Sequence, residues 1–320
     1  CLTWMCFSLN AQKIIDLSGK WSFSIDRQDN GEKEKWFSHT LNDCINLPGS
    51  MPEKLKGDEV TAKTQWTGSL YDSSYYYNPY MEKYRKEGNI KFPFFLTPDK
   101  HYVGAAWYQK EVNIPADWKG ERILLFLERP HIETTVWVNG QKTGMQNSLC
   151  VPHQYDITRY VRPGKCTITI RVDNRIKEIN VGPDSHSITD QTQGNWNGIV
   201  GRICLQTTPK TYFDDIQIYP EPEQKLARVK VVIKGAGITK IKLSAESFNT
   251  DKKHIVPAIQ QEIKLNKGVT ETEMVLPMGN DMLLWDEFHP ALYKLKAEVT
   301  NGKKTCLLYT SDAADEARSV

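Results

Sequence analysis

The chain has 320 residues, 39% hydrophobic and 10% aromatic, with Lys+Arg 41 against Asp+Glu 39. That length suffices for two domains with packed cores, and the near-balance of charge offers no electrostatic footprint for nucleic acid or an anionic membrane surface. No apolar run approaches the roughly 18–20 residues of a membrane span.

Taken in chain order, Cys1 to Ala11 is apolar and turns small and polar before Gln12 and Lys13. It reads as the tail of a secretory signal peptide cut near Ala11, so residues 1–12 are set apart and a periplasmic or secreted location is expected. The competing reading is a buried first strand. Strand-like alternation follows at 20–25, 106–114, 122–128, 134–138, 166–172 and 201–207, each run short, β-branched or aromatic, and bounded by Gly, Pro or Asn. Asn139-Gly140 after Val138 predicts a two-residue hairpin, because both turn positions need positive φ. Asp156 to Val161, ended by Pro163-Gly164, predicts a single capped helical turn. Residues 13–207 are therefore read as a jelly-roll sandwich.

Residues 51–105 interrupt that rhythm with Tyr71, Tyr75, Tyr76, Tyr77, Tyr80, Tyr84, Phe92, Phe94 and Phe95 among Gly, Pro and Ser. A connection so long inside a domain is functional or disordered, and the aromatic load argues against disorder. After Thr208-Pro209, runs at 212–218, 227–233, 241–245, 261–265, 272–276 and 293–299 predict an immunoglobulin-like sandwich over 208–304. The whole is expected to be all-β. Residues 305–320 drop the β pattern; from Leu307 they look like a translated sequencing adapter, and they are left out of the fold expectation.

Several chemistries find no support. Gly235-Ala236-Gly237 lacks the third glycine and the helix of a dinucleotide loop, and G-x-S-x-G, H-E-x-x-H and Walker patterns are missing. His39, His101, His131, His153, His186, His254 and His289 are scattered, so no metal site is expected. Cys44, Cys150, Cys166, Cys204 and Cys306 show no C-x-x-C spacing and read as small buried hydrophobes. One segment stands out. Asp190 to Ile199 packs Gln191, Thr192, Gln193, Asn195 and Asn197 around Trp196 between glycines. Amides donate and accept together, which suits vicinal sugar hydroxyls, and an aromatic face suits the C–H side of a pyranose. The bland alternative is a loop whose amides satisfy their own backbone while Trp196 fills the core.

At this segment the chain resembles family 2 glycoside hydrolases of the β-galactosidase kind. Asn195 to Arg202 is similar to the signature that closes their sugar-binding domain. Ala106-Trp-Tyr-Gln-Lys with Val112-Asn-Ile-Pro115, Glu133 to Gly144, Asp156-Ile-Thr and Ile168 to Asn174 resemble its strands in order. Leu284 to Tyr293 resembles the motif near the end of the immunoglobulin-like domain. The resemblance implies a jelly roll, an immunoglobulin-like sandwich and then a (β/α)₈ barrel, whose two glutamates cleave terminal β-glycosides with retention. Those glutamates would lie beyond residue 300, so the barrel is absent, no catalytic residue is assigned here, and hydrolysis by this part alone is not expected.

By the same resemblance, Asp190, Gln191, Thr192, Asn195, Trp196 and Asn197 are the candidate substrate-binding residues of a β-galactoside pocket wall. A gapless alignment puts Thr192 where the family carries an acid, and Asp190 replaces it only after a two-residue shift. Arg202 sits one residue late and is read as a structural ion-pair residue. No cofactor is expected in these domains; the resemblance allows a divalent or sodium ion, and a homo-oligomer, in the intact enzyme. The expected partner is a β-glycoside or oligosaccharide, with neither nucleic acid nor a membrane span. Two other readings are a stand-alone carbohydrate-binding protein using Tyr71 to Tyr84 as a stacking platform, and an adhesin-like spacer without sugar affinity.

Overall fold

The structure is a computed structural model, describing residues 5–8, 13–68, 74–94, 96–177, 188–302 and 304–312. Tyr71, Phe95 and His186 lie outside the described residues, as do the ends of both terminal segments. The chain divides into two compact units, one of residues 14–206 and one of residues 207–320 joined by residues 1–13.

After β1 (Met5–Ser8), the first unit holds β2 (Ile14–Asp16), β3 (Gly19–Asp26), β4 (Asp43–Leu47), β5 (Gly49–Ser50), β6 (Asp58–Glu59) and β7 (Lys100–His101). β8 (Ala105–Ile114), β9 (Arg122–His131), β10 (Glu133–Val138), β11 (Gln141–Asn147), β12 (His153–Asp156), β13 (Gly164–Asp173) and β14 (Gly198–Thr208) complete it. They form a sheet in the order β11-β10-β13-β8-β3-β4 and another in the order β12-β9-β14-β2, with β5 also on β14. Alternating positions on the facing sheets bury Trp21, Phe23, Tyr108, Leu125, Val136 and Leu205 in one core. β10 is buried at every position, because its outward face is covered too. There Trp107 and Trp137 pack at 5.0 Å, and Phe37 stacks on Trp137 at 5.2 Å.

The Asn139-Gly140 hairpin forms with φ of 49° and 76°. The helical turn expected at 156–161 is instead the end of β12 and a hydrogen-bonded turn. Asp156 Oδ1 accepts from Thr158 N at 3.1 Å and from its hydroxyl, an Asx arrangement that satisfies the backbone without a helix.

In the second unit, β15 (Tyr212–Glu221) is followed by β16 (Leu226–Phe248), β17 (Ile255–Pro277), β18 (Leu292–Asn301) and β19 (Lys304–Asp312). Four of the expected strands merge into two. β16 pairs with β17 along nearly its whole length, and Gly235 and Gly237 bend the hairpin at a register shift instead of ending it. The first half of β16 also pairs with β15 and the second half with β18, so one strand holds two different neighbours along its length within a single six-stranded sheet. Val229, Val231, Ile241, Leu243, Leu276 and Val299 form its core.

The β pattern was expected to stop at residue 304 and the first twelve residues to lie outside the fold. In the structure β19 pairs with β18 as far as Asp312, and β1 pairs with β19 with Ser8 opposite Cys306. Thr305 to Thr310 is rich in β-branched, aliphatic and aromatic residues, which fit a pleated ladder. The cysteines also divide. Cys166 and Cys204 are buried thiols, Cys44 and Cys150 are exposed, and Cys306 is disulfide-bonded. No helix among the described residues is long and apolar enough to cross a membrane.

Candidate functional site

The loop of residues 188–197 enters β14 at Gly198. That glycine has φ 144°, and a Cβ there would stand 2.5 Å from the Gly49 carbonyl oxygen and 2.8 Å from Ser50 Cα. β5 therefore lies directly against the loop's exit, and Met51 N donates to Asn197 O at 2.7 Å. Three of the six candidate residues are brought together, but inward. Asp190 is 3% exposed. Its Oδ2 accepts from Thr67 N at 2.6 Å and lies 3.1 Å from His101 Nε2, and its Oδ1 accepts from Asn195 N at 2.7 Å.

Asn195 spends both amide hydrogens on Thr67 Oγ1 and Asn174 O, at 2.9 and 3.0 Å, while its Oδ1 accepts from Asn174 Nδ2. Asn197 spends both of its own on Gly104 O and Val172 O, each at 2.9 Å, and its Oδ1 accepts from the Tyr108 hydroxyl at 2.7 Å. Burial pushes that hydroxyl's pKa well above the usual tyrosine value, so it remains a donor.

These contacts turn Asp190, Asn195 and Asn197 inward, where the sequence reading has them face a sugar. Buried amides with every hydrogen committed have none to offer a ligand, and losing a partner would leave an unsatisfied group. Their geometry shapes the loop. Thr192 is half-buried, and its hydroxyl bonds Thr189 O at 3.1 Å. Gln191 and Trp196 are also half-buried, so Trp196 is not the core plug of the bland alternative. Its ring lies 4.6 Å from the His131 ring, and His131 Nδ1 is 2.7 Å from Trp196 O, a distance that makes Nδ1 the protonated nitrogen. Burial lowers the His131 pKa, only partly opposed by this hydrogen bond and by the Asp190 charge.

Sequence reasoning missed Thr67, His101, His131, Tyr108 and Asn174. Two histidines that looked scattered meet this one loop from residues far away in the chain, and no local spacing signals that. The aromatic insertion is anchored to the same loop through Thr67 and His101. Trp66, next to Thr67, meets Phe92, Phe94 and His101 edge-on at 4.8, 5.1 and 4.6 Å.

Behind the loop, Asp173 is fully buried among Arg171, Arg175 and Lys177, at 2.9, 2.5 and 2.8 Å. Asp29 and Glu133 complete a charge-balanced set of three cations and three carboxylates. Burial alone would raise the Asp173 pKa, but hydrogen bonds from Arg175 and Lys177 and the Arg171 charge hold it well below the carboxylate range. Arg202, half-exposed, pairs with Glu128 at 3.0 Å. No group of three or more His, Cys, Asp or Glu among the described residues is placed to hold a metal ion.

With this geometry in hand, comparison with known proteins is specific. The family profile described as the sugar binding domain of glycosyl hydrolases family 2 matches residues 14–209, and that of glycosyl hydrolases family 2 matches residues 211–311. Human β-glucuronidase is 24% identical over 91% of this chain and 42% of its own length. A Paenibacillus borealis β-glucuronidase is 24% identical over 90% and 42%. A Thermoanaerobacter pseudethanolicus β-galactosidase is 24% identical over 66% and 28%. Among solved structures, Ruminococcus gnavus β-glucuronidase matches with TM-score 0.58 and 18% identity, covering 95% of this chain and 45% of that one. The chain thus spans less than half the length of the relatives it matches.

Proposed function

The chain belongs to glycosyl hydrolase family 2, and we propose that it is the sugar-binding and immunoglobulin-like part of an exported, retaining exo-β-glycosidase that acts on β-glucuronides. The observation that carries this reading is the succession of the two matched domains, 14–209 and then 211–311, with one residue between them. In this reading hydrolysis resides in a barrel that follows, and the first domain supplies one wall of the sugar pocket. The loop of residues 188–197, held by its buried network, would present Gln191, Thr192 and Trp196.

The choice of β-glucuronide over the β-galactoside expected from sequence has two supports. Most of the similar curated proteins carry the name β-glucuronidase, the human and Paenibacillus ones among them. The acid that a galactoside pocket would draw from this loop is also committed elsewhere. Asp190 is occupied by Thr67, His101 and Asn195, and Thr192 stands at the position expected to be acidic. The Thermoanaerobacter β-galactosidase keeps β-galactoside as the second reading.

The test is the uninterrupted gene and its product. Hydrolysis of p-nitrophenyl β-D-glucuronide with kcat/KM about a hundredfold above that for the β-D-galactoside is expected, a difference of roughly 2.7 kcal/mol in transition-state binding. The reverse preference selects the second reading. A stop codon just after Lys304 together with no hydrolysis would replace both with the stand-alone binder.

A further inference from the structure

Within the insertion between β5 and β8, residues 74–94 pack around a buried tyrosine and expose other aromatics at their surface. Tyr75, on the single turn α1 (Ser74–Tyr77), is 1% exposed, stacks on Phe92 at 4.8 Å and donates its hydroxyl to Tyr84 O at 3.2 Å. The Arg85 guanidinium holds the Tyr75 carbonyl, and Asn89 Nδ2 holds the Lys83 carbonyl at 2.7 Å. Outside this anchor, Tyr77 is 72% exposed and Tyr80 85%. A lone exposed aromatic is ordinary, but two on adjoining turns keep apolar area in water that the fold does not use.

Cations lie on the same segment. On the 3₁₀ turn Pro79–Tyr84, residues three apart eclipse, so Tyr80 and Lys83 stand one above the other. The Lys83 and Lys91 ammonium groups lie 4.9 and 5.9 Å from the centre of the Tyr84 ring. Neither has a carboxylate partner among the described residues, whereas Lys86 is paired with Glu82 at 3.2 Å. Two cations without carboxylate partners, on the segment that carries the exposed tyrosines, offer a definite chemistry: ring faces for the C–H side of a pyranose and ammonium groups for its carboxylate. Because the turn is braced before any ligand arrives, binding would cost little ordering entropy.

We propose that Tyr77, Tyr80, Lys83 and Lys91 form a binding site for an acidic glycan chain, a polymer containing uronate residues. Single-stranded nucleic acid also uses aromatics and cations. Residues 74–94, however, hold only four cations, Lys83, Arg85, Lys86 and Lys91, against Glu82 and Glu87, and the whole chain carries +2. That falls short of the basic footprint of a nucleic-acid site and favours a uronate glycan. The proposal does not rest on the β-glucuronide reading.

Affinity electrophoresis of the full 320-residue chain, in gels containing polygalacturonate or neutral β-1,4-galactan, tests it, with oligothymidylate titration as the competing polyanion. Retardation by polygalacturonate, weaker on galactan and falling as salt rises from about 50 to about 300 mM, is expected. Tyr77→Ala with Tyr80→Ala should weaken retardation about tenfold, the combined effect of two ring contacts. Lys83→Gln with Lys91→Gln should abolish the preference for the acidic polymer, a readout independent of the tyrosine variant's folding. Retardation unchanged in folded variants, equal retardation on galactan, or tighter binding of oligothymidylate would each overturn the proposal. Hydrolysis does not enter the measurement, so this result and the substrate test stand or fall separately.

Discussion

Replacing Asp190 by Ala separates a scaffold from a ligand. The carboxylate accepts from Thr67 N, Asn195 N and His101 Nε2 at 2.6, 2.7 and 3.1 Å, and it is 3% exposed. Alanine leaves two backbone N–H groups without an acceptor. Each buried orphan costs about 1–3 kcal/mol, and partial access of water to the vacated space keeps the total near about 3 kcal/mol. For a domain of this size about 3 kcal/mol corresponds to a fall of roughly 6–12 °C in Tm. Thermal unfolding of the 320-residue chain followed by circular dichroism and tryptophan fluorescence reads it directly. Asp190→Asn, which keeps one oxygen but turns an NH₂ toward a donor, should fall between wild type and Ala. An Asp190→Ala Tm within about 1 °C of wild type, the behaviour of an exposed ligand residue, would refute the reasoning and return Asp190 to the pocket.

Three further outcomes are expected. Lowering pH should destabilise the first domain in two stages. Burial depresses the His131 and His153 pKa values below 6.5, so their contribution is complete above that unfolded value and is lost as pH falls through the folded ones. Asp173 and Asp29 are likewise depressed from 3.8, their cationic partners outweighing burial, so a second loss begins below that value. A Tm flat from neutral pH down to about 5 would contradict the first stage. Gly198→Ala should cost more than about 3 kcal/mol and sharply reduce folded yield, since its Cβ would strike the backbone of Gly49 and Ser50; a wild-type melting curve would mean that β5 does not lie there. Arg202→Ala should cost no more than about 1 kcal/mol, as the Glu128 pair is half-exposed. A loss of activity above tenfold in the intact enzyme at unchanged Tm would make Arg202 a ligand instead.

Most of the first sandwich is legible from alternation alone, because one face of each strand must be apolar and the other need not be. The runs at 106–114, 122–128 and 166–172 fall within β8, β9 and β13. β10 is buried at every position because the segment carrying Phe37 covers its outer side, and no pattern in Glu133 to Val138 announces that cover. In the second sandwich the glycines misled. Gly235 and Gly237 punctuate the sequence as strand breaks do, yet the hairpin bends there and continues. The candidate loop was findable from its amides, but not their direction. Whether Asn195 reaches a sugar or Asn174 depends on partners up to 128 residues away, such as Thr67, which enter only through the fold.

The long β16–β17 hairpin also bears on how the second domain assembles. Its two 23-residue strands are neighbours in sequence, joined by a short turn at Asn249, whose φ is 56°. Zippering from that turn needs only local closure, the fast class of β pairing, with hairpins forming in about 1–10 μs. Since β15 and β18 both pair with β16, a single local event lays down the spine on which the rest of this sheet is built. β15 and β18 then add to opposite halves of a strand already in place. A sandwich topology that would ordinarily be slow, because its contacts are distant in sequence, has its longest pairing made local.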